Sequence, residues 1–380
     1  MLTRPLSNSG SPFNLRKYKT EEFAVDVLRI VREVGVPSWV HVHALLRPED
    51  IKIVKVSGSL TNAVFFVSAP AHTTTKTFLL RVYGPSSGNL ISRADELRML
   101  HLLSGRYRIG PRLYGTFTNG RLEEYFDSDA LTPEEMRDPT VSSWIARRMA
   151  EMHRVDIDAV VGPSWTIAAI DNVQKWLAPA REVLDLVGPE RTAELGLDLD
   201  RFVPAWTTWQ QKVYAWEAAH GASPRVFAHN DAQYGNLLKL RKVSRTKPAH
   251  HQQIIVVDFE YAGPNPAAVD IANHFQEWTT AYNSTTPHLL HPEAYPSLSE
   301  RRNFYSAYLG GDSADWTRLE DQVRVWSAAS HGMWAIWSLV QAREQVEAGQ
   351  ANALEDFDYL GYASSRLSEF YRLVEDLSSI

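Results

Sequence analysis

The sequence predicts an α+β protein of two lobes, a small strand-rich N-terminal lobe and a large helical C-terminal lobe. Three observations carry this expectation. Short runs rich in branched and aromatic residues, separated by turn signals, fill the stretch between residues 50 and 127. From about Leu131 onward the apolar residues instead recur at helical spacing. The 380 residues also exceed what one small core organises. Strands followed by helices, rather than alternating with them, make an α+β pattern with a cleft between lobes. The expected boundaries are a disordered leader at 1–20, an N-terminal lobe at 21–127 and a C-terminal lobe at 128–380.

Each element follows from local chemistry. The leader is polar and basic with Pro and Gly and lacks the apolar core of a secretory signal. TEEFAVDVLRIVREVGVPSW (20–39) reads as an amphipathic helix stopped by Gly35 and Pro37. IKIVKVSGSLTNAVFFVSA (51–69) reads as two strands joined by a Gly/Ser/Thr/Asn turn, and TFLLRVYG (77–84) as a third. ISRADELRMLHLLSG (91–105) has helical periodicity and ends in a glycine. PRLYGTFTNGRLEEYFD (111–127) supplies two short strands around Asn119 and Gly120. The remainder is helical apart from two polar, strand-like stretches, between which KVSRTKPAHHQQ (242–253) reads as an exposed basic hairpin loop.

Composition excludes several classes of function. The net charge of −6 argues against nucleic-acid binding and against attraction to an acidic membrane surface. The absence of Cys excludes disulfides, thiol catalysis and Cys-zinc sites, and fits a reducing, cytoplasmic compartment. No apolar run approaches the ~20 residues of a membrane-spanning helix.

The two polar stretches carry the chemistry. FAHNDAQYGNLL (227–238) sets His229, Asn230, Asp231, Gln233 and Asn236 between apolar segments; IIVVDFEYAG (254–263) is a buried-strand pattern that ends in Asp258, Glu260 and Tyr261. Phosphoryl transfer from Mg-ATP asks a protein for positioning, charge screening and one proton acceptor. Asp231 is the candidate base. Asn236 and Asp258 are candidate Mg²⁺ ligands, since Mg²⁺ takes hard oxygen donors and needs only one or two from protein. Arg81, ending TFLLR, is the candidate cation on the phosphates, with Glu96 expected to hold it by a bidentate ion pair.

These residues resemble a known family. The HxDxxxxN and DFx pair, with Arg81 and Glu96 upstream, is similar to the protein-kinase-like fold. The wording FAHNDAQYGNLL and VVDFEYAGPNPAAVDIANHFQEW, with VSGSLTNAVFFV, LLRVYGP, NGRLEEYF and MWAIWSLVQA in the same order from about residue 50 to 365, resembles the choline/ethanolamine kinase family. Arg81 stands where protein kinases use Lys, and SGSLTN stands where they use GxGxxG; both departures belong to the resembled family. SGS replaces the two adjacent glycines more usual there, and Ser59 restricts that turn.

The resemblance implies site assignments. Ser57, Gly58, Ser59, Leu60, Thr61 and Asn62 would cover the ATP phosphates. Glu123 and Tyr125 would lie in the segment that meets the adenine, and Gln233 near nucleotide and acceptor, while a loop hydrogen bond is the plainer reading of Gln233. His229 is expected to be structural, and Asp270 to brace the catalytic loop. In DIANHFQEW, Asp270, Asn273, His274 and Glu277 share one helix face; Glu277 would face the acceptor cation. Tyr261, Tyr282, Trp334, Trp337, Phe357 and Tyr362 would form an aromatic cage, because a quaternary ammonium offers no hydrogen bonds and is held by ring faces. Aromatics at helical spacing otherwise belong to a core. The implied reaction is choline kinase activity, with Mg²⁺ and ATP, opening phosphatidylcholine synthesis; family members often dimerise, although no heptad or patch here argues for a homodimer. Ethanolamine kinase is the nearest alternative. An aminoglycoside-type phosphotransferase would ask for an acidic acceptor groove, and a non-catalytic choline binder could dispense with Asp231, Asn236 or Asp258.

Overall fold

The structure, a computed structural model, describes residues 7–10, 12–42, 44–56, 62–83, 93–242, 249–311, 315–349 and 357–377. Two compact units make up the chain: Met1–Asp129 with Leu240–Val243 and Ile255–Glu260, and Ala130–Lys239 with Ser244–Ile254 and Tyr261–Ile380.

In the first unit, strands β1 (Ser7–Ser9), β2 (Lys52–Val56), β3 (Asn62–Ser68), β4 (Phe78–Tyr83), β5 (Leu113–Phe117) and β6 (Gly120–Glu124) form one sheet in the order β1-β5-β6-β4-β3-β2. β1 runs parallel to β5 and the other pairs are antiparallel. The helix Glu21–Val34 starts at the Thr20 cap, whose side chain accepts from the Phe23 amide, and stops at Gly35 with a left-handed φ of 75°. It buries Phe23, Val27, Ile30, Val31 and Val34 together with Phe65, Val67, Phe78, Leu80 and Leu122 of the sheet. In β4, Phe78, Leu80 and Val82 are the buried positions, so the alternation of a strand turns Leu79, Arg81 and Tyr83 to the opposite face.

The expectation of a disordered leader is corrected where the leader is described. Besides the parallel strand β1, Phe13 enters the core 4.6 Å from the Phe23 ring. Its backbone is clamped by Asn119, which accepts from the Phe13 amide at 2.8 Å and donates to its carbonyl at 2.9 Å. One buried aromatic and two long-range hydrogen bonds overcome a polar composition. Gly120 follows at the start of β6, where a Cβ would collide with the Arg81 carbonyl oxygen.

Strands β7 (Ser128–Ala130), β9 (Leu237–Leu240) and β10 (Ile254–Val256) lie where the chain passes from one unit to the other. Within the second unit, β8 (Arg225–Ala228) and β11 (Gly263–Pro266) form an antiparallel ribbon that pairs Ala228 with Gly263. The sequence reading missed β11 because its motif, GPNP, carries two prolines; a two-stranded ribbon tolerates them, since neither strand needs a full ladder on both sides. The helix Thr317–Gln341 packs against the helices Tyr359–Asp376, Ala168–Val187 and Ala267–Gln276. Residues 243–248 of the expected hairpin loop lie outside the described residues, but His250–Gln253 is a 3-10 turn: His251 bonds Glu151 at 2.6 Å and Gln253 is buried. Among the described residues no helix is long and apolar enough to cross a membrane.

Candidate active site

The catalytic-loop candidate begins where β8 ends. Asn230 adopts a left-handed φ of 65°, which Asn tolerates better than most residues but which still needs support. Three bonds supply it. The Asn230 amide donates to Asp270 Oδ1 at 2.7 Å, Nδ2 donates to the Tyr261 carbonyl at 2.9 Å, and Oδ1 accepts from Asn265 at 2.7 Å. The β8–β11 ribbon brings Tyr261 and Asn265 into reach.

All ten residues of the helix Ala267–Gln276 are buried, so its polar side chains hold the loop instead of facing solvent. Asp270 Oδ2 accepts from the His229 amide at 3.0 Å and bonds His153 Nε2 at 2.8 Å. Burial pushes its carboxyl up, but the His153 hydrogen bond, the two histidines and the His229 amide hold it below the usual aspartate value. One turn on, His274 Nδ1 bonds the Ala232 carbonyl at 2.8 Å, and its Nε2 receives Trp278 Nε1 at 3.4 Å. Those partners fix a neutral ring protonated at Nδ1, and burial pushes its pKa down in agreement. Asp231 thus sits between two segments pinned to one buried helix. His274 was on the polar face read from sequence, but its bond to residue 232 depends on the fold.

Asp231 and Asn236 meet directly. Asn236 Nδ2 donates to Asp231 Oδ2 at 2.7 Å and to the Asp231 carbonyl at 3.0 Å, which leaves Oδ1 as the atom suited to a cation. His229 Nδ1 accepts from the Asp231 amide at 3.2 Å, a structural contact. Gln233 accepts from the Gly235 amide at 2.6 Å, so its side chain closes the local turn.

In the first unit, Arg81 of β4 and Arg121 of β6 are direct cross-strand partners. Like charges at such positions repel unless neutralised. Glu123, two residues along β6 and so on the same face, bonds Arg121 at 2.5 Å and stands 3.3 Å from Arg81. Burial pushes the Glu123 carboxyl up, yet the Arg121 and Arg81 guanidiniums outweigh it and hold it below the ordinary range. Glu96 pairs with Arg121 at 2.6 Å. The expected bidentate pair between Arg81 and Glu96 is therefore corrected: Arg121, unnoticed in the sequence, takes Glu96, and Glu123 takes Arg81. Tyr125 packs its ring 4.8 Å from Phe66. Ser57, Gly58, Ser59, Leu60 and Thr61 lie outside the described residues; Asn62 is described only as the first residue of β3.

Asp258 also has a left-handed φ, of 66°. Beside it, Glu260 is pushed up to about 8 by burial and by the neighbouring charges of Asp258 and Glu96, against the opposing Arg81 and Arg121. Asp258 and Glu260, both half-buried, offer the oxygen donors that a hard cation takes.

The predicted aromatics converge within the second unit. Tyr261 lies 5.1 Å from Trp334 and 6.3 Å from Trp337, whose Nε1 donates to the Tyr261 hydroxyl at 2.7 Å. Trp334 and Trp337 are 5.1 Å apart. The chain of rings continues from Trp337 to Tyr359, Phe357 and Tyr282 at 5.9, 5.1 and 6.3 Å. Tyr359, three residues before Tyr362, was missed. Trp334 and Tyr362 are buried, while Trp337, Tyr282, Phe357 and Tyr359 are half-buried. Glu277 is not a bare carboxylate: Arg366 Nη2 donates to Oε1 at 2.6 Å and the Tyr282 hydroxyl to Oε2 at 2.7 Å.

A family model described as choline/ethanolamine kinase matches residues 53–371. The choline kinase of Schizosaccharomyces pombe is 32% identical, over 92% of this chain and 88% of that protein. The crystal structure of choline kinase from Cryptosporidium parvum superposes with a TM-score of 0.72 at 23% identity, covering 93% of this chain and 96% of that one. The Plasmodium vivax ethanolamine kinase superposes at 0.68 with 22% identity, covering 94% and 96%. These two likenesses bear out the protein-kinase-like α+β fold.

Proposed function

Because the chain belongs to the choline/ethanolamine kinase family of ATP-dependent phosphotransferases, we infer that it transfers the γ-phosphoryl group of ATP to the hydroxyl of choline, giving phosphocholine and ADP. The observation that carries the choice of choline is the run of ring contacts through Tyr261, Trp337, Tyr359, Phe357 and Tyr282. Ring faces suit a cation without N–H donors, each worth about 0.5–2 kcal/mol.

Asp231 accepts the proton that leaves the choline hydroxyl as the new O–P bond forms. Its carboxylate is oriented for this by Asn236 and by the pinned backbone on either side. Arg81 neutralises phosphate charge, with Glu123 fixing its direction. Asn236 through Oδ1 and Asp258 through its carboxylate are the residues we assign to Mg²⁺, which when bound screens the charge of the transferring phosphates. A cytoplasmic homodimer accords with the family and with a chain free of cysteine.

The test is steady-state phosphorylation of choline and ethanolamine in parallel by the purified protein, with and without a chelator. Choline is expected to win on kcat/KM by tenfold or more, about 1.4 kcal/mol of transition-state preference, and EDTA to abolish turnover until Mg²⁺ is restored. A preference for ethanolamine would overturn the substrate assignment while leaving the catalytic one. Turnover undiminished by EDTA would overturn the metal assignment.

A further inference from the structure

Arg366 was not among the residues that the sequence singled out, yet it is fully buried beside the acceptor side chains. Its Nη2 donates to Glu277 Oε1 and to the Tyr362 hydroxyl, each at 2.6 Å, and its guanidinium lies 4.9 Å from the centroid of the Tyr362 ring. Glu277 is 2% exposed, and its second oxygen is taken by the Tyr282 hydroxyl, with Thr280 Oγ1 at 3.4 Å. Both carboxylate oxygens are therefore occupied from within the protein. The guanidinium also cancels the charge that would otherwise attract any cation, and it covers one of the expected cage rings.

We propose that Arg366 is a specificity-determining positioning residue: by locking Glu277 in a buried ion pair, it withholds the pocket's carboxylate from N–H donors and leaves the choice of cation to ring faces. A primary ammonium entering the pocket must leave water with three donors that need acceptors, whereas a trimethylammonium has none to satisfy. With Glu277 locked, the primary ammonium finds rings where it needs oxygens. With Glu277 released, it gains a charge-assisted acceptor that a methylated ammonium cannot use as a hydrogen-bond partner. The inference rests on the acceptor site proposed above, but it concerns the change in discrimination and not its absolute value.

The experiment compares wild type with Arg366→Met, Arg366→Lys and Tyr282→Phe. Binding of tetramethylammonium and of methylammonium is followed by tryptophan fluorescence, which needs no turnover, and kcat/KM for choline and ethanolamine is measured alongside. The affinity ratio of tetramethylammonium to methylammonium is expected to fall at least tenfold in Arg366→Met and a few-fold in Tyr282→Phe. The Tyr282 variant keeps the ring and frees only one carboxylate oxygen. Arg366→Lys, which keeps a cation on Glu277, is expected to recover most of the wild-type ratio. Arg366→Met strands a buried carboxylate and risks unfolding; Tyr282→Phe then decides alone. A ratio within twofold of wild type in the folded variants, with both ions weakened alike, would mean that Arg366 only supports the structure and would overturn the proposal. If wild type prefers ethanolamine, or phosphorylates neither alcohol, while the ion ratio shifts as stated, the choline assignment fails and the role of Arg366 stands.

Discussion

The loop that carries Asp231 and the aromatic wall around Tyr261 belong to the same unit and are built in opposite ways. The loop is held by hydrogen bonds of fixed direction, to Asp270 at His229 and Asn230 and to His274 at Ala232. The wall is held by ring contacts between 5 and 6.5 Å, contributed by four separate stretches of chain. A proton acceptor must stand at one point, so its supports are polar and directional. A cation cage needs surface, so its rings support one another by redundant contact, and hydrogen bonds such as Trp337 Nε1 to the Tyr261 hydroxyl orient single rings within it. Variants in the loop should therefore change kcat or the fold, and variants in the wall should change the acceptor KM.

Asp270→Ala should have the largest effect. It strands the His229 and Asn230 amides and His153 Nε2 in a buried place, a loss of roughly 3–5 kcal/mol of unfolding free energy, read by denaturant titration. Asp270→Asn, which keeps one oxygen, should fall between. The sign of the pH dependence follows from the depressed folded pKa of Asp270. Its contribution is fully present above the unfolded aspartate value near ~4 and is lost as pH falls through the lower folded value. Wild type should thus lose more stability than Asp270→Asn on acidification below about pH 4. Parallel acid-unfolding curves would mean that the brace carries no charge-dependent energy.

Asp231→Asn comes next. The amide is nearly isosteric, so folding and ATP binding should persist, while kcat falls by at least ~10². Near-normal turnover would sink the base assignment, and a loss confined to KM would move Asp231 from the loop's logic to that of the wall.

How far the sequence could be read follows the same division. The meeting of His229, Asp231 and Asn236 could be read because their spacing is local, within one loop. The family assignment came from the same stretches. The ion cluster of the first unit was misread because sequence proximity suggested Arg81 with Glu96, whereas strand register sets Arg81 opposite Arg121 and so redistributes the acids. Register is fixed by pairing across the sheet, which no single stretch records. Arg366 carried a faint signal, lying four residues after Tyr362 on a helix and so on the same face. In the run ASSRLSE it reads as an ordinary polar helix position, and only the approach of Glu277 makes it a buried partner. The polar face of DIANHFQEW was visible, but its burial was not, because helices distant in sequence cover it.

The smallest effect separates the wall from the loop most cleanly. Trp337 is half-buried, one contributor among several rings, and its Nε1 donates to the Tyr261 hydroxyl. Removing the ring in Trp337→Ala should raise the choline KM about tenfold, the value of one partly desolvated cation–π face, with the ATP KM and kcat changed by less than about twofold. Trp337→Phe keeps a ring and loses the indole N–H, so its rise in KM should be only a few-fold. If Phe behaved like Ala, the hydrogen bond to Tyr261 would be the essential element and the wall would depend on direction after all. If both lowered kcat as Asp231→Asn does, the two regions would not be separable, and the aromatic wall would have to be counted among the supports of the catalytic loop.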